Sequence, residues 1–240
     1  MKIKEKILKN TFCPTIPWGL VNPFFINRKL LAETIESEAQ HLHGKILDYG
    51  CGSKPYKSLF RFYDYIGIDI ENAGHPHTNE DIDLFFDGKT IPFEDGTFDS
   101  CFSSEVLEHV FDIDKSLAEI KRVLRPNGKI LITTPFVWDE HEAPHDFCRY
   151  SSFGLKEIIE RNGFRVIKQK KNGCFSELII QLLLIHLNRK LVSNRLFKYP
   201  FLLIICPVLN LLSVMISSIN DDRGDKTIYL GQTLVAEKIS

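Results

Sequence analysis

The run KILDYGCG at 45–52 constrains this chain more than any other: a short apolar strand delivers the backbone into Gly50 and Gly52, one residue apart. With no Cβ at either position, the main chain can pass close to a ligand at the strand's end. A second apolar run, DYIGID at 64–69, ends on Asp69, 21 residues after Asp48. That is the spacing at which a strand-end carboxylate accepts hydrogen bonds from ribose hydroxyls. A diphosphate-binding loop would carry a third glycine, but Ser53, Lys54 and Pro55 fill those places. The pattern favours a nucleoside ligand without a diphosphate, with Asp48 available to a positively charged group.

The alternation continues along the chain. Apolar strands are expected at 81–87, 97–104, 129–135, 164–170 and 227–238, and helices at 27–42, from Ser53-Pro55, at 105–124 and at 152–163. Helical spacing of Val106, Leu107, Val110, Leu117, Ile120, Val123 and Leu124, stopped by Pro126 and Gly128, carries the third of these helices. Strands alternating with helices imply right-handed βαβ units, hence an α/β fold with a Rossmann-like, doubly wound, seven-stranded sheet. The expected organisation is an N-terminal helical extension (1–43), a ligand-binding core (44–170), an apolar helical insertion (171–226) and a final core strand (227–240).

Composition narrows the function. The formal charge of −1, from 30 basic and 31 acidic residues, gives no electrostatic case for nucleic acid as the obligate partner. The six cysteines form neither a CxxC pair nor a zinc-spaced cluster, which reads as free thiols in a reducing, cytoplasmic compartment. Prolines 14, 17 and 23 interrupt what a signal peptide would keep apolar. Residues 201–219 are uncharged and long enough to cross a bilayer, and 178–187 are also apolar; Arg189, Lys190, Arg195 and Lys198 lie between them. Because the last strand must return to the same sheet, one crossing is disfavoured. The alternatives are contact of 178–219 with a membrane surface, a peripheral location at the inner membrane face, a cap over the acceptor pocket, a homodimer face, or a soluble helical subdomain.

Four blocks in order, LDYGCG, GIDI, FDGKTIPFEDGTFDSCFSSEVLEH and LRPNGKILITTP, resemble the class I S-adenosylmethionine-dependent methyltransferases of the type 11 kind, over about residues 44–170. The resemblance implies S-adenosylmethionine as cofactor. It implies Asp48, Gly50 and Gly52 at the methionine end and backbone, Asp69 at the ribose hydroxyls and Ile70 on the adenine face. Asp87 would meet the adenine amino group and Ser103 the cofactor's edge; the bland alternative for Asp87 is a solvated turn acid before Gly88. The expected reaction is O-methylation of a sugar, another hydroxyl-bearing small molecule or a lipid-linked glycan. Within PFVWDEHEAPHDFCRYSS (135–152), His145 is the expected general base, with Asp146 orienting it or Arg149. An Asp146–Arg149 salt bridge that only pins the loop is the competing reading. Glu105, Glu108 and His109 at i, i+3 and i+4 would share a helix face and, with His145, suit a divalent metal. EVLEH is also common in family members that use no metal, so none is expected. The competing functions are an NAD-dependent or nucleotide-sugar oxidoreductase, disfavoured by the missing third glycine, and a non-catalytic cofactor-binding scaffold.

Overall fold

The computed structural model describes residues 10–71, 81–219 and 226–239. It divides into two compact units, one of Thr34–Lys171 with Gly231–Ser240, the other of Met1–Glu33 with Asn172–Leu230. Residues 1–9 of the expected extension and 220–225 of the expected insertion lie outside the described residues.

The first unit is built on β1 (Lys45–Tyr49), β2 (Asp64–Ile70), β3 (Leu84–Phe86), β4 (Phe98–Ser104), β5 (Leu124–Pro135), β6 (Phe164–Asn172) and β7 (Gly231–Lys238). Their order in the sheet is β3-β2-β1-β4-β5-β7-β6. β1 pairs in parallel with β2 and β4, and β4 with β5, whereas β7 runs antiparallel to β5 from Lys129↔Glu237 to Pro135↔Gly231. Buried strands of a parallel sheet read as near-continuous apolar runs, as Ile46 and Leu47 do at zero exposure. The order reverses between β1 and β4, so the connections from their carboxyl ends diverge and leave a crevice there.

Helix α1 (Phe25–Glu38) ends with Glu38 buried, its carboxylate paired with Lys168 at 3.0 Å and Lys170 at 2.6 Å on β6. Helix α2 (Ile113–Val123) starts where the Asp112 side chain accepts from the Lys115 amide at 3.4 Å. It buries Leu117, Ile120 and Val123 in a core shared with Phe98, Ile130, Ile132, Ile159 and Phe164. Full burial of each such side chain contributes about 1.5–3 kcal/mol. Helix α3 (Ser152–Arg161) is capped by Ser151, whose hydroxyl accepts from the Gly154 amide at 3.1 Å.

Two expected helices are not formed as read. After β1 there is only a 3₁₀ turn at Lys57–Leu59, because Lys54 takes a left-handed φ of 50°. Its side chain then folds inward to Asp83 at 2.6 Å. After β4 the chain makes a 3₁₀ turn at Leu107–His109 before α2 begins at Ile113, so Glu105, Glu108 and His109 do not share a helix face. Strand β3 is confined to Leu84–Phe86 and β7 to Gly231–Lys238, both shorter than expected.

The second unit contains a 3₁₀ turn at Trp18–Val21, helix α4 (Phe175–Leu191), α5 (Arg195–Pro200), a π-helical segment at Phe201–Ile205 and α6 (Cys206–Ile219). Arg195–Ser218 runs as one 24-residue helix, long and apolar enough by length and composition to cross a membrane.

Candidate functional site

A cavity of about 200 Å³ lies at the carboxyl ends of the first unit's strands, between the glycine loop after β1 and the turn after β4. Gly50 and Gly52 supply the loop wall, with φ of 73° and 45°. Glycine is required at Gly50 on two counts. Besides the left-handed φ, a Cβ there would lie 2.5 Å from Val106 Cγ2. The loop is fastened to β2 by the amides of Gly50 and Cys51, which donate to the Ile68 carbonyl at 2.9 and 3.1 Å.

Asp69, nearly buried at the end of β2, sets the next wall: one carboxylate oxygen accepts from the Gly52 amide at 2.9 Å and the other from the Ile70 amide at 2.8 Å. Tyr49, Ile70 and Phe86 add apolar and aromatic surface, with the Tyr49 and Phe86 ring centroids 5.7 Å apart. Across from them stand Glu105, Val106, His109 and Val110 from the turn after β4, and Glu142 and His145 from the loop after β5. Glu105 and Glu142 both hold left-handed backbone, φ 56° and 52°. Such conformations cost about 1–3 kcal/mol in side-chain-bearing residues and persist where surrounding structure over-determines them. For Glu105 that support is visible: Thr133 accepts its amide through the backbone carbonyl at 3.0 Å, and the Thr133 hydroxyl donates to its carboxylate at 3.0 Å.

Of the expected site residues, Gly50, Gly52, Asp69, Ile70 and His145 line this one cavity. Asp48, Asp87, Ser103 and Asp146 do not. Asp48 is buried and accepts from the Tyr65 hydroxyl at 2.6 Å instead of facing a cationic ligand group. Burial pushes its carboxyl up to about 7, against the pull of Tyr65 and Lys54. Asp87 is exposed and spends its carboxylate on the amides of Lys89 and Thr90, at 2.8 and 2.9 Å, the turn-acid arrangement. Ser103 is buried and its hydroxyl lacks a hydrogen-bond partner among the described residues. Asp146 grips Arg149 through both oxygens, at 2.5 and 2.7 Å, and accepts from the His141 amide at 3.0 Å. Arg149 holds the Asp146 carboxyl well below the usual range. Arg149 also donates to the Asp139 carbonyl at 3.0 Å, so the pair closes the loop that carries Glu142 and His145. Asp146 therefore orients Arg149, one of the two expected roles, and does not orient His145 by contact.

Glu105 and His109 join the site from the turn after β4 that the spacing reads as a helix, and Glu142 from a loop with no periodicity to announce it. The Nδ1 of His109 sits 2.7 Å from the His145 carbonyl oxygen, leaving Nε2 3.6 Å from Glu142 and 3.7 Å from Glu108. Glu108 is wholly buried, and neither of its carboxylate oxygens has a hydrogen-bond partner among the described residues. Burial, reinforced by Glu105, pushes its carboxyl well above the usual range, and burial lowers His109. Glu108, His109 and His141 place one potential ligand atom each within 4.8 Å of one another, a set chemically able to hold a divalent ion. His141 replaces His145 in that grouping.

The buried Asp48 carries a pH prediction. A carboxyl raised to about 7 in the folded state and near 3.8 unfolded destabilises the fold as pH rises between those values, because the unfolded chain releases the proton first. Asp48→Asn keeps an acceptor for Tyr65 and removes that titration. Its stability advantage over wild type is expected to grow by about 2–3 kcal/mol between pH 5 and pH 7. Urea melts at the two pH values check this; an advantage constant with pH would contradict it.

Known proteins share this arrangement. Residues 47–132 match the family model described as a methyltransferase domain. The O-methyltransferase cnsE of Penicillium expansum is 31% identical over 160 residues, covering 55% of this chain and 55% of the relative. The chain spans about half the length of the curated relatives it matches. Among solved structures, a chain from the complex of the Haloferax volcanii Trm112 methyltransferase activator with a methyltransferase aligns with a TM-score of 0.57 at 16% identity, covering 99% of this chain and 93% of that one. Haemonchus contortus phosphoethanolamine N-methyltransferase 2, solved with phosphomonomethylethanolamine and S-adenosylhomocysteine, aligns with a TM-score of 0.51 at 18% identity, covering 100% of this chain and 61% of that one. At these identities the structural likeness speaks for the fold. Glycine loop and strand-end acid meet at the reversal of strand order within residues 47–132, the stretch that matches the methyltransferase-domain model, on a sheet with the class I S-adenosylmethionine-dependent methyltransferase fold.

Proposed function

We propose that this chain methylates a hydroxyl oxygen of a sugar or another hydroxyl-bearing small molecule, a lipid-linked glycan included. The observation that carries the reading is the shared cavity: the glycine loop, Asp69 and an aromatic and aliphatic wall lie on one side, and the His145 imidazole on the other. The residues present fit the cofactor. A loop that tolerates no Cβ at Gly50 leaves room for its backbone, the Asp69 carboxylate is an acceptor for ribose hydroxyls, and Tyr49, Ile70 and Phe86 suit an adenine ring. When bound, S-adenosylmethionine supplies a methyl group on a sulfonium, open to direct displacement.

The chain's own residues do the rest. The wall of Glu105, His109, Glu142 and His145 positions the acceptor, and alignment of the reacting atoms is the main catalytic contribution in a displacement of this kind. The His145 ring would take the proton of the acceptor hydroxyl as that oxygen accepts the methyl group the cofactor would supply. Asp146 is a positioning residue that acts through Arg149. The name of the O-methyltransferase relative supports oxygen as the acceptor atom. Calorimetric titration with S-adenosylmethionine, S-adenosylhomocysteine and NAD tests the cofactor side: the first two are expected to bind and NAD is not. Binding of NAD alone would return the oxidoreductase reading. Mass spectrometry of a hydroxyl-acceptor panel incubated with labelled cofactor tests the acceptor side, with a gain of one methyl on oxygen expected.

A further inference from the structure

The unit formed by Met1–Glu33 and Asn172–Leu230 is built inside out. A surface helix in water turns its apolar stripe inward and its polar residues outward. The helix Arg195–Ser218 does the reverse: Cys206, Asn210 and Ser213 are buried beside Phe201, while Leu203, Ile204, Val208 and Met215 are 55–65% exposed. Part of this buried polar set is engaged within the unit, although the Asn210 side-chain oxygen has no hydrogen-bond partner among the described residues. The Asn210 amide donates to the carbonyls of Leu20 at 2.7 Å and Asn22 at 3.0 Å, and the Ser217 hydroxyl donates to the Glu177 carboxylate.

Helix α4 is apolar on both sides: Leu178, Ile180, Leu184 and Ile185 are buried together with two polar residues. Glu177 and Gln181, one turn apart, face inward, and Gln181 binds the Asn27 amide at 3.0 Å and the Pro23 carbonyl at 2.8 Å. Phe175, Ile179 and Leu183, on the same spacing, face out with 43–48% exposure. Trp18 is 75% exposed and Tyr199 57% exposed, side chains that favour a membrane–water boundary. Polar groups turned inward and hydrocarbon presented outside is the arrangement that suits an apolar surrounding medium.

Charge and connectivity select the kind of membrane contact. Between Leu178 and Ile219 there is no acidic residue, whereas Arg189, Lys190, Arg195 and Lys198 gather between the two apolar helices. Of the unit's three chain connections one runs through α1 and the other two lead to β6 and β7, neighbours in one sheet, where the Leu230 amide donates to the Asn172 carbonyl at 3.0 Å. A segment that leaves and returns at one point dips into a single leaflet. We infer that α4 and the helix Arg195–Ser218 form a monotopic surface that inserts into an anionic bilayer, with the basic cluster at the headgroups.

Flotation of the full-length protein with vesicles tests this. The protein is expected to float with phosphatidylcholine vesicles containing phosphatidylglycerol, and less with phosphatidylcholine alone. The triple variant Ile204→Glu, Val208→Glu, Met215→Glu changes only exposed or half-exposed side chains. It is expected to lower the floated fraction about tenfold while cofactor binding and the thermal transition persist. Arg195→Glu with Lys198→Glu is expected to erase the preference for anionic vesicles. Wild type that stays with the vesicle-free fraction overturns the inference. A dimer that the triple variant dissociates, without flotation of the wild type, assigns the face to a second copy of the chain instead. Protection of the last strand from protease added outside sealed vesicles would mean a crossing and would also overturn it.

Discussion

His145→Ala is expected to slow methyl transfer by about 10²–10⁴-fold while changing the affinity for S-adenosylmethionine by less than about threefold. The separation follows from where the residue acts. The His145 backbone carbonyl, which receives His109 at 2.7 Å, is kept in the variant, so the ring of His109 and the shape of that wall should survive. Only the imidazole at the acceptor side of the cavity is removed. Single-turnover rates measured with labelled cofactor isolate the chemical step, and added imidazole should restore part of the rate. Full turnover in the variant would remove His145 from the chemistry and leave Glu105 or Glu142 as the base to test next.

Gly50→Ala should weaken cofactor binding by about 30–4,000-fold. A side chain in left-handed backbone costs about 1–2 kcal/mol, and φ at this position is 73°. Overpacking adds about 1–3 kcal/mol, since the new Cβ would lie 2.5 Å from Val106 Cγ2 and 2.6 Å from Val106 Cγ1. Each 1.4 kcal/mol is a factor of about ten. The two components separate in the double variant Gly50→Ala, Val106→Ala, which removes the collision and leaves the backbone strain. It should recover about tenfold or more of the lost affinity, read by calorimetry beside a thermal melt. Equal affinities in single and double variants would show that packing against Val106 does not shape the loop.

The sheet was legible because its signal is local: apolar runs such as KILDYG and KILITTP end in glycine or proline, and a parallel sheet buried on both faces demands such runs. The helix expected from Ser53-Pro55 was not, because Lys54 is taken by a long-range partner, Asp83, 29 positions away. Pro55 held a warning, since a residue preceding proline is biased away from helical backbone. The run after β4 misled for a related reason. Val106, Leu107 and Val110 have helical spacing, but the left-handed Glu105 and the cap at Asp112 shift the helix seven residues and more downstream. Gly50, Gly52 and Asp69, read from fixed spacing across β1, its loop and β2, converge in the cavity, whereas Asp48, Asp87 and Ser103 do not line it. The acceptor wall draws on Glu142, from an aperiodic loop whose shape depends on the Asp146–Arg149 pair, and on His109, from the misread helix. Asp87 shows the limit of that spacing: one of its carboxylate oxygens accepts from two backbone amides within three residues, and the residue lies outside the cavity lining.

The hydrogen bond between the Leu230 amide and the Asn172 carbonyl bears on how such a chain can change. It pinches residues 173–229 into a loop whose two ends already touch, hung between neighbouring strands. Closing a loop costs an entropy that grows only with the logarithm of its length, about 0.6 kcal/mol per doubling. The pairing of β7 with β5 is therefore nearly indifferent to how many residues hang between β6 and β7. Lengthening, shortening or exchanging the segment leaves the β5–β7 ladder in register.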